Sequence, residues 1–177
     1  MLRTMLIFGV IAGFIVALPM FSLLAIQPDP GSLVGSQFFG YALMILALSM
    51  VFIGVKSYRD KAKGGVIKFL PAFLLGLGIS FVAAIIYVIG WEITLYFTDY
   101  AFASDYAAAS LDAARAKGAS PAELEAMTTQ FEDFQRMYSN PLLRLPMTFI
   151  EIFPVGLIIS LIAAALLRNP RFFPARA

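Results

Sequence analysis

Lys56-Ser57-Tyr58-Arg59-Asp60-Lys61-Ala62-Lys63-Gly64-Gly65, with Lys68 just beyond it, stands between two apolar runs, and its reading decides the fold. Gln37 to Val55 precedes it and Val66 to Gly90 follows it. Two more basic segments lie at the ends of the chain: Arg3 at the start, and Arg168, Arg171 and Arg176 at the finish. These nine cations against the single acid Asp60 give +8, while the remaining four cations and ten acids give −6. A chain inserted in a membrane by the positive-inside rule sorts its charges in this way, with basic segments kept on the cytoplasmic side. Both termini and the 56–65 loop are therefore expected in the cytoplasm.

Composition points the same way. Apolar residues make up 60% of the chain, the mean hydropathy is +0.85 and only 14% of residues are charged. This exceeds what one soluble core of this length uses, so the surplus must face lipid. The chain has no Cys and no His, which removes disulfides, thiolate chemistry, the commonest metal ligand and the commonest general base. The net charge of +2 is small and polarised. It argues for contact with anionic lipid and not for nucleic acid.

Four spans follow from the apolar runs, at about 4–26, 37–55, 66–96 and 146–167, each long enough to cross about 30 Å of hydrocarbon. The first has Arg3 before it like a signal peptide, but its run is too long and no clean small-x-small site follows. Gln27-Pro28-Asp29-Pro30-Gly31-Ser32 reads as an outer turn, and Trp91 to Tyr96 as an outer aromatic belt. Arg168-Asn169-Pro170-Arg171 reads as a helix stop with cationic anchors.

Between the third and fourth spans, about 100–140, the composition predicts an extracytoplasmic helical hairpin. Asp105 to Lys117 is Ala-rich, Gly118 supplies a stop, and Ser120-Pro121-Ala122-Glu123 is a capping box with Pro at the first helical position. Leu124, Met127, Phe131, Phe134 and Tyr138 recur at three- and four-residue steps and form a packing seam. Asn140-Pro141 should end this helix and Pro146 restart the chain as the fourth span. Because the first hairpin helix offers mostly Ala to that seam, Phe131 and Phe134 are expected to remain partly uncovered and to serve as an interface.

Gly9 and Gly13, extended by Ala17, form a small-residue stripe, as do Gly76, Ser80 and Ala84 and Gly156, Ser160 and Ala164. Such stripes let helix backbones approach closely. Packing within one chain is the plainer reading, and self-association through Gly9 and Gly13 the alternative. Glu92 and Glu151 are the acids within or bordering the spans. Glu92 reads as an interfacial charge beside Trp91. Glu151 lies about one turn inside the outer boundary, and Pro154 three residues on frees the carbonyl of Ile150. Together they make a candidate intramembrane polar site; the plainer account has Pro154 bend the helix while Glu151 bonds Tyr87, Tyr96 or Arg144. Lys56, Arg59, Lys61, Lys63 and Lys68 are candidates for anionic head-group contact, or serve only to set topology. No phosphate-binding loop, nucleophile–base pair or catalytic carboxylate pair is present, so no catalytic residue, metal or cofactor is assigned.

The runs Phe52-Ile53-Gly54-Val55-Lys56-Ser57-Tyr58-Arg59-Asp60-Lys61 and Met147-Thr148-Phe149-Ile150-Glu151-Ile152-Phe153-Pro154-Val155-Gly156-Leu157-Ile158-Ile159-Ser160, with Tyr138-Ser139-Asn140-Pro141 between them, resemble the bacterial membrane family domain-of-unknown-function 4199. The resemblance covers most of the chain. It implies a small multi-span inner-membrane protein and carries no activity or functional residue with it. The expected architecture is thus a single all-α membrane domain of four spans with an outer helical hairpin. The expected role is non-enzymatic: association with itself, with anionic lipid or with a larger membrane complex. A small transporter or channel with Glu151 as its coupling carboxylate is the alternative.

Overall fold

A computed structural model describes residues 1–26 and 37–174, and among these there are six helices and no strand. They are α1 (Leu2–Ile26), α2 (Gln37–Ala62), α3 (Phe69–Phe97), α4 (Phe102–Ala116), α5 (Pro121–Ser139) and α6 (Pro141–Leu167). Of these, α1, α2, α3 and α6 are long and apolar enough to cross a membrane. The outer turn expected at Gln27 to Ser32 lies outside the described residues. The chain divides into two compact units, Met1–Trp91 with Phe149–Ala177, and Glu92–Thr148.

In the first unit α3 is the most buried of the four long helices, and glycine is the reason the others can approach it. A Cβ on Gly9 would lie 2.5 Å from Cβ of Val82 and 2.9 Å from the carbonyl oxygen of Ile79; one on Gly13 would lie 2.5 Å from Cβ of Ile86. From the other side, a Cβ on Gly90 would lie 2.8 Å from that of Ala17. The Gly9, Gly13 and Ala17 stripe is therefore spent on α3. Gly9 and Gly13 are buried, so the self-association contact considered for them is corrected to a contact inside the chain. The α3–α6 contact repeats the device: a Cβ on Gly156 would meet Ser80 at 2.6 Å, and one on Gly76 would meet Ser160 at 3.1 Å. Apolar layers fill the rest, with Val51, Val55, Leu75, Ile79, Ile152 and Leu167 all nearly inaccessible.

Two helix ends differ from the sequence expectation. The basic stretch at 56–62 is the last two turns of α2 and not a loop, because Lys56 pairs with Asp60 one turn on and the turn forms only afterwards. There Gly64 and Gly65 take φ +61° and +86°, and Gly65 N–H donates to the carbonyl of Arg59 at 3.0 Å. Two consecutive glycines in the left-handed region thus fold the chain back over the last carbonyls of α2 and stop the helix. At the other join, Pro141 and not Pro146 opens α6. Asn140 ends α5 in extended backbone, and its side-chain oxygen accepts from Leu142 N–H, so one residue closes one helix and caps the next.

The second unit contains α4 and α5, turned at Gly118 with φ +82°. Phe102 and Tyr106 on α4 stack, Tyr106 meets Phe131 edge-on at 6.0 Å, and Phe102 meets Tyr138 at 5.8 Å. The seam is therefore covered by aromatic rings as well as Ala, and Phe131 and Phe134 are half-buried. The expectation that α4 offers mostly Ala fails because α4 begins at Phe102, one turn before Asp105.

The capping box of α5 is complete. Glu123 carboxylate accepts from Ser120 N–H at 2.7 Å and from its hydroxyl at 2.8 Å, and Glu123 N–H donates back to the hydroxyl at 3.3 Å. The backbone bond first, then the side-chain bond, holds the Glu123 carboxyl below the ordinary glutamate range. A carboxyl lowered by folding stabilises in full above the ordinary range, and that contribution is lost as pH falls through the lowered value. Amide protection factors in the first turn of α5 should accordingly be level from neutral pH down to the ordinary glutamate range and fall below it. In Glu123→Gln they should be level throughout; a wild-type profile equally level in acid would show that the box does not hold the turn.

Candidate functional site

Glu151 sits on α6 with its side chain on the exposed face, and one carboxylate oxygen accepts from the hydroxyl of Tyr87 at 3.0 Å. Tyr87 itself is 1% exposed, so the bond reaches from the core of the first unit to its surface. Of the three partners the sequence offered, Tyr87 is the one that takes Glu151. Ile150 and Pro154 are exposed on the same helix, so Pro154 lies on the outer face of the bundle. Deeper in the contact, Ser160 donates to the carbonyl of Gly156 at 2.7 Å, and Ser80 lies 3.2 Å from both that carbonyl and the Ser160 hydroxyl. These hydroxyls close on one another where the two backbones are nearest. The α3–α6 contact at these residues cannot admit a Cβ, so no water fits between the two helices there.

Within the second unit, Glu92 has a partner of its own. Arg144 Nε and Nη2 donate to its two carboxylate oxygens, each at 2.8 Å, and Nη1 donates to the carbonyl of Tyr138 at 2.8 Å. This two-point geometry is the strong form of an Arg–carboxylate pair. Arg144 is 3% exposed, and its guanidinium lies 5.0 Å from the ring centre of Tyr100 and 5.8 Å from that of Tyr138. The Tyr100 ring is carried there by unusual backbone: Asp99 and Tyr100 both have positive φ, +49° and +59°, and Tyr100 N–H donates to the carbonyl of Leu95 at 2.8 Å. Two consecutive side-chain-bearing residues in this region cost on the order of 1–3 kcal/mol each. A cation–π contact at this half-exposed ring offsets about 0.5–1 kcal/mol of it, and the closed end of α3 offsets more. Ser104, Gln135, Tyr138 and Ser139 border a cleft of about 460 Å³ beside the guanidinium. Glu92 is thus a paired charge, joined to a residue that the sequence reading considered only as a partner for Glu151. The signal was there: Arg144 is the sole cation between Pro141 and Leu167.

A third polar centre lies where α2 ends. Arg59 is fully buried, which removes it from the residues expected to touch head groups. Its Nε donates to Asp60 at 2.7 Å, Nη1 to the carbonyl of Phe172 at 2.9 Å, and Nη2 to the carbonyl of Phe173. Asp60 also takes Lys56 at 2.6 Å, and the Phe52 ring meets both Phe172 and Phe173 edge-on. Of the remaining expected lipid contacts, Lys56 is half-buried and taken by Asp60, while Lys61, Lys63 and Lys68 are exposed. Nothing in the sequence links Arg59 to backbone more than a hundred residues away.

Among the described residues no three His, Cys, Asp or Glu side chains converge as metal ligands would. What the three centres share is pairing: each charge is matched to a buried donor or acceptor that ties one part of the chain to another. No curated protein and no solved structure matches the chain. A family profile does match, from residue 7 to residue 169, and over that extent the chain belongs to the family described as "Protein of unknown function (DUF4199)".

Proposed function

We propose that this is a non-enzymatic integral protein of the bacterial inner membrane, with both termini in the cytoplasm, that works by association with a membrane partner or a second copy of itself. The observation that carries the reading is the outward position of Glu151. Charged groups inside spans ordinarily face a bundle interior or a water-filled cavity, as a coupling carboxylate in a transporter does. Glu151 instead stands on the surface of α6 among exposed Ile150, Pro154 and Ile158, with one hydrogen bond from Tyr87. It lies seventeen residues before Arg168, roughly 25 Å along the helix, so it belongs near the outer edge of the hydrocarbon. A charge left against lipid costs about 2.5–3.5 kcal/mol at a span's centre and less toward its ends. A donor supplied by a neighbouring protein lowers that cost, which is the physical incentive for association at this face. The charge asymmetry between the basic segments and the acidic 92–148 region supports the orientation, and the closed serine contact weighs against a conduit.

The test is a photo-reactive residue placed in native membranes at Ile150 or Ile158, beside Glu151, or at Leu46, an exposed position on α2. Discrete protein adducts are expected from the two α6 positions and not from Leu46, and Glu151→Leu should abolish them. An adduct of twice the chain mass identifies self-association and any other discrete mass a partner. The same lipid-only products at all three positions would overturn the proposal.

A further inference from the structure

The cations at the end of α2 and those after α6 are far apart in sequence, and read from sequence they are independent anchors. Arg59 makes them one surface. Its guanidinium holds the carbonyls of Phe172 and Phe173, so Arg171, the residue before Phe172, is carried to the end of α2 within a few residues of Lys61 and Lys63. Phe52 packs on both rings, and Phe173 turns back with φ +49°, which keeps the segment from continuing away from the bundle. Arg168 follows the fully buried Leu167, and Lys68 follows the buried Ile67, so both are fixed at their roots to the same core. Asp60 is taken up by Arg59 and Lys56. Lys61, Lys63, Lys68, Arg168 and Arg171 are therefore five exposed cations that form no ion pair among the described residues.

From this placement we infer that Lys61, Lys63, Lys68, Arg168 and Arg171 form one binding surface for the phosphates of anionic lipid, with Arg59 as the positioning residue that joins its two halves. The inference rests on the proposed membrane location and deepens it by naming the lipid class and the residues. Lipid is favoured over a soluble acidic partner because exposed apolar side chains border the cations: Val66, Phe69, Leu70 and Phe173 are all at the surface. Cations beside exposed apolar groups match the boundary between head groups and acyl chains. Negative head groups also attract such clusters charge by charge, an effect that salt weakens.

Native mass spectrometry of the detergent-solubilised full chain, with added phosphatidylglycerol or phosphatidylcholine, tests the proposal. Wild type should retain phosphatidylglycerol in preference to phosphatidylcholine. Arg168→Gln with Arg171→Gln, both exposed and harmless to the fold, should cut that preference by on the order of tenfold, as should Lys61→Gln with Lys63→Gln. Arg59→Met removes no exposed charge, yet it should cut the preference as the Arg168, Arg171 pair does and add little when combined with that pair. Equal retention of the two lipids by wild type would overturn the inference, as would a preference indifferent to Arg168 and Arg171. Full loss on combining Arg59→Met with the pair would overturn the positioning role. A protein that does not partition into detergent or nanodiscs would instead refute the membrane reading on which the inference stands.

Discussion

Replacing Arg144 with methionine is expected to destabilise the protein by about 3 kcal/mol, the lower end of the range for removing one partner of a buried ion pair. Three things fail together. Glu92, about a quarter exposed, loses both of its charge-assisted bonds; the carbonyl of Tyr138 loses its donor; and Tyr100 keeps its positive φ without the guanidinium beside its ring. The magnitude stays at the lower end because the exposed edge of Glu92 can recruit water. Equilibrium unfolding in mixed micelles reads the loss directly. Glu92→Gln should cost less, since an amide oxygen still accepts one of the two bonds. An Arg144→Met protein as stable as wild type would place this pair among those whose desolvation cancels their attraction.

Gly9→Ala should cost about 2–3 kcal/mol, near the top of the ordinary range for overpacking. The added methyl would stand 2.5 Å from Cβ of Val82 and 2.9 Å from the main-chain oxygen of Ile79, and a backbone atom of α3 cannot turn aside as a side-chain tip can. Relief requires α1 to move off α3, which also loosens the contacts of Gly13 and Ala17 along the same line. Gly40→Ala is the control. Its Cβ would meet nothing within 4 Å, so the exchange should be neutral or stabilising by up to about 1 kcal/mol through helix propensity. Equal stabilities for the two variants would mean that α1 and α3 are not in the close contact described.

Particular residues show where sequence reasoning reached and where it stopped. The capping box at Ser120 and Glu123 could be read because both partners lie within one turn and the bonds are local. The span count could be read because lipid imposes length and apolarity on every crossing segment. Pro146 was misread as a helix start: proline marks only a possible boundary, and Asn140 with Pro141 formed a better one earlier in the chain. The α4 start was missed by one turn, and with it Phe102, because Ala content was weighed above the ring that covers Tyr138.

The long-range pairings separate the two sources of information most clearly. Periodicity, charge segregation and local caps are properties of neighbouring residues, so the amino-acid sequence alone determined an all-α membrane chain with four spans, a helical hairpin and small-residue stripes for packing. Which groups meet across the fold was decided only by tertiary structure. Arg59 could as well have reached a phosphate as the carbonyls of Phe172 and Phe173, and Arg144 could as well have taken Glu151 as Glu92. An unpaired charge in a low-dielectric setting accepts any partner of the right sign that geometry supplies. Helix contacts fixed by Gly9, Gly13, Gly76 and Gly156, and turns closed at Tyr100 and Gly65, supply that geometry, and no spacing along the chain encodes it.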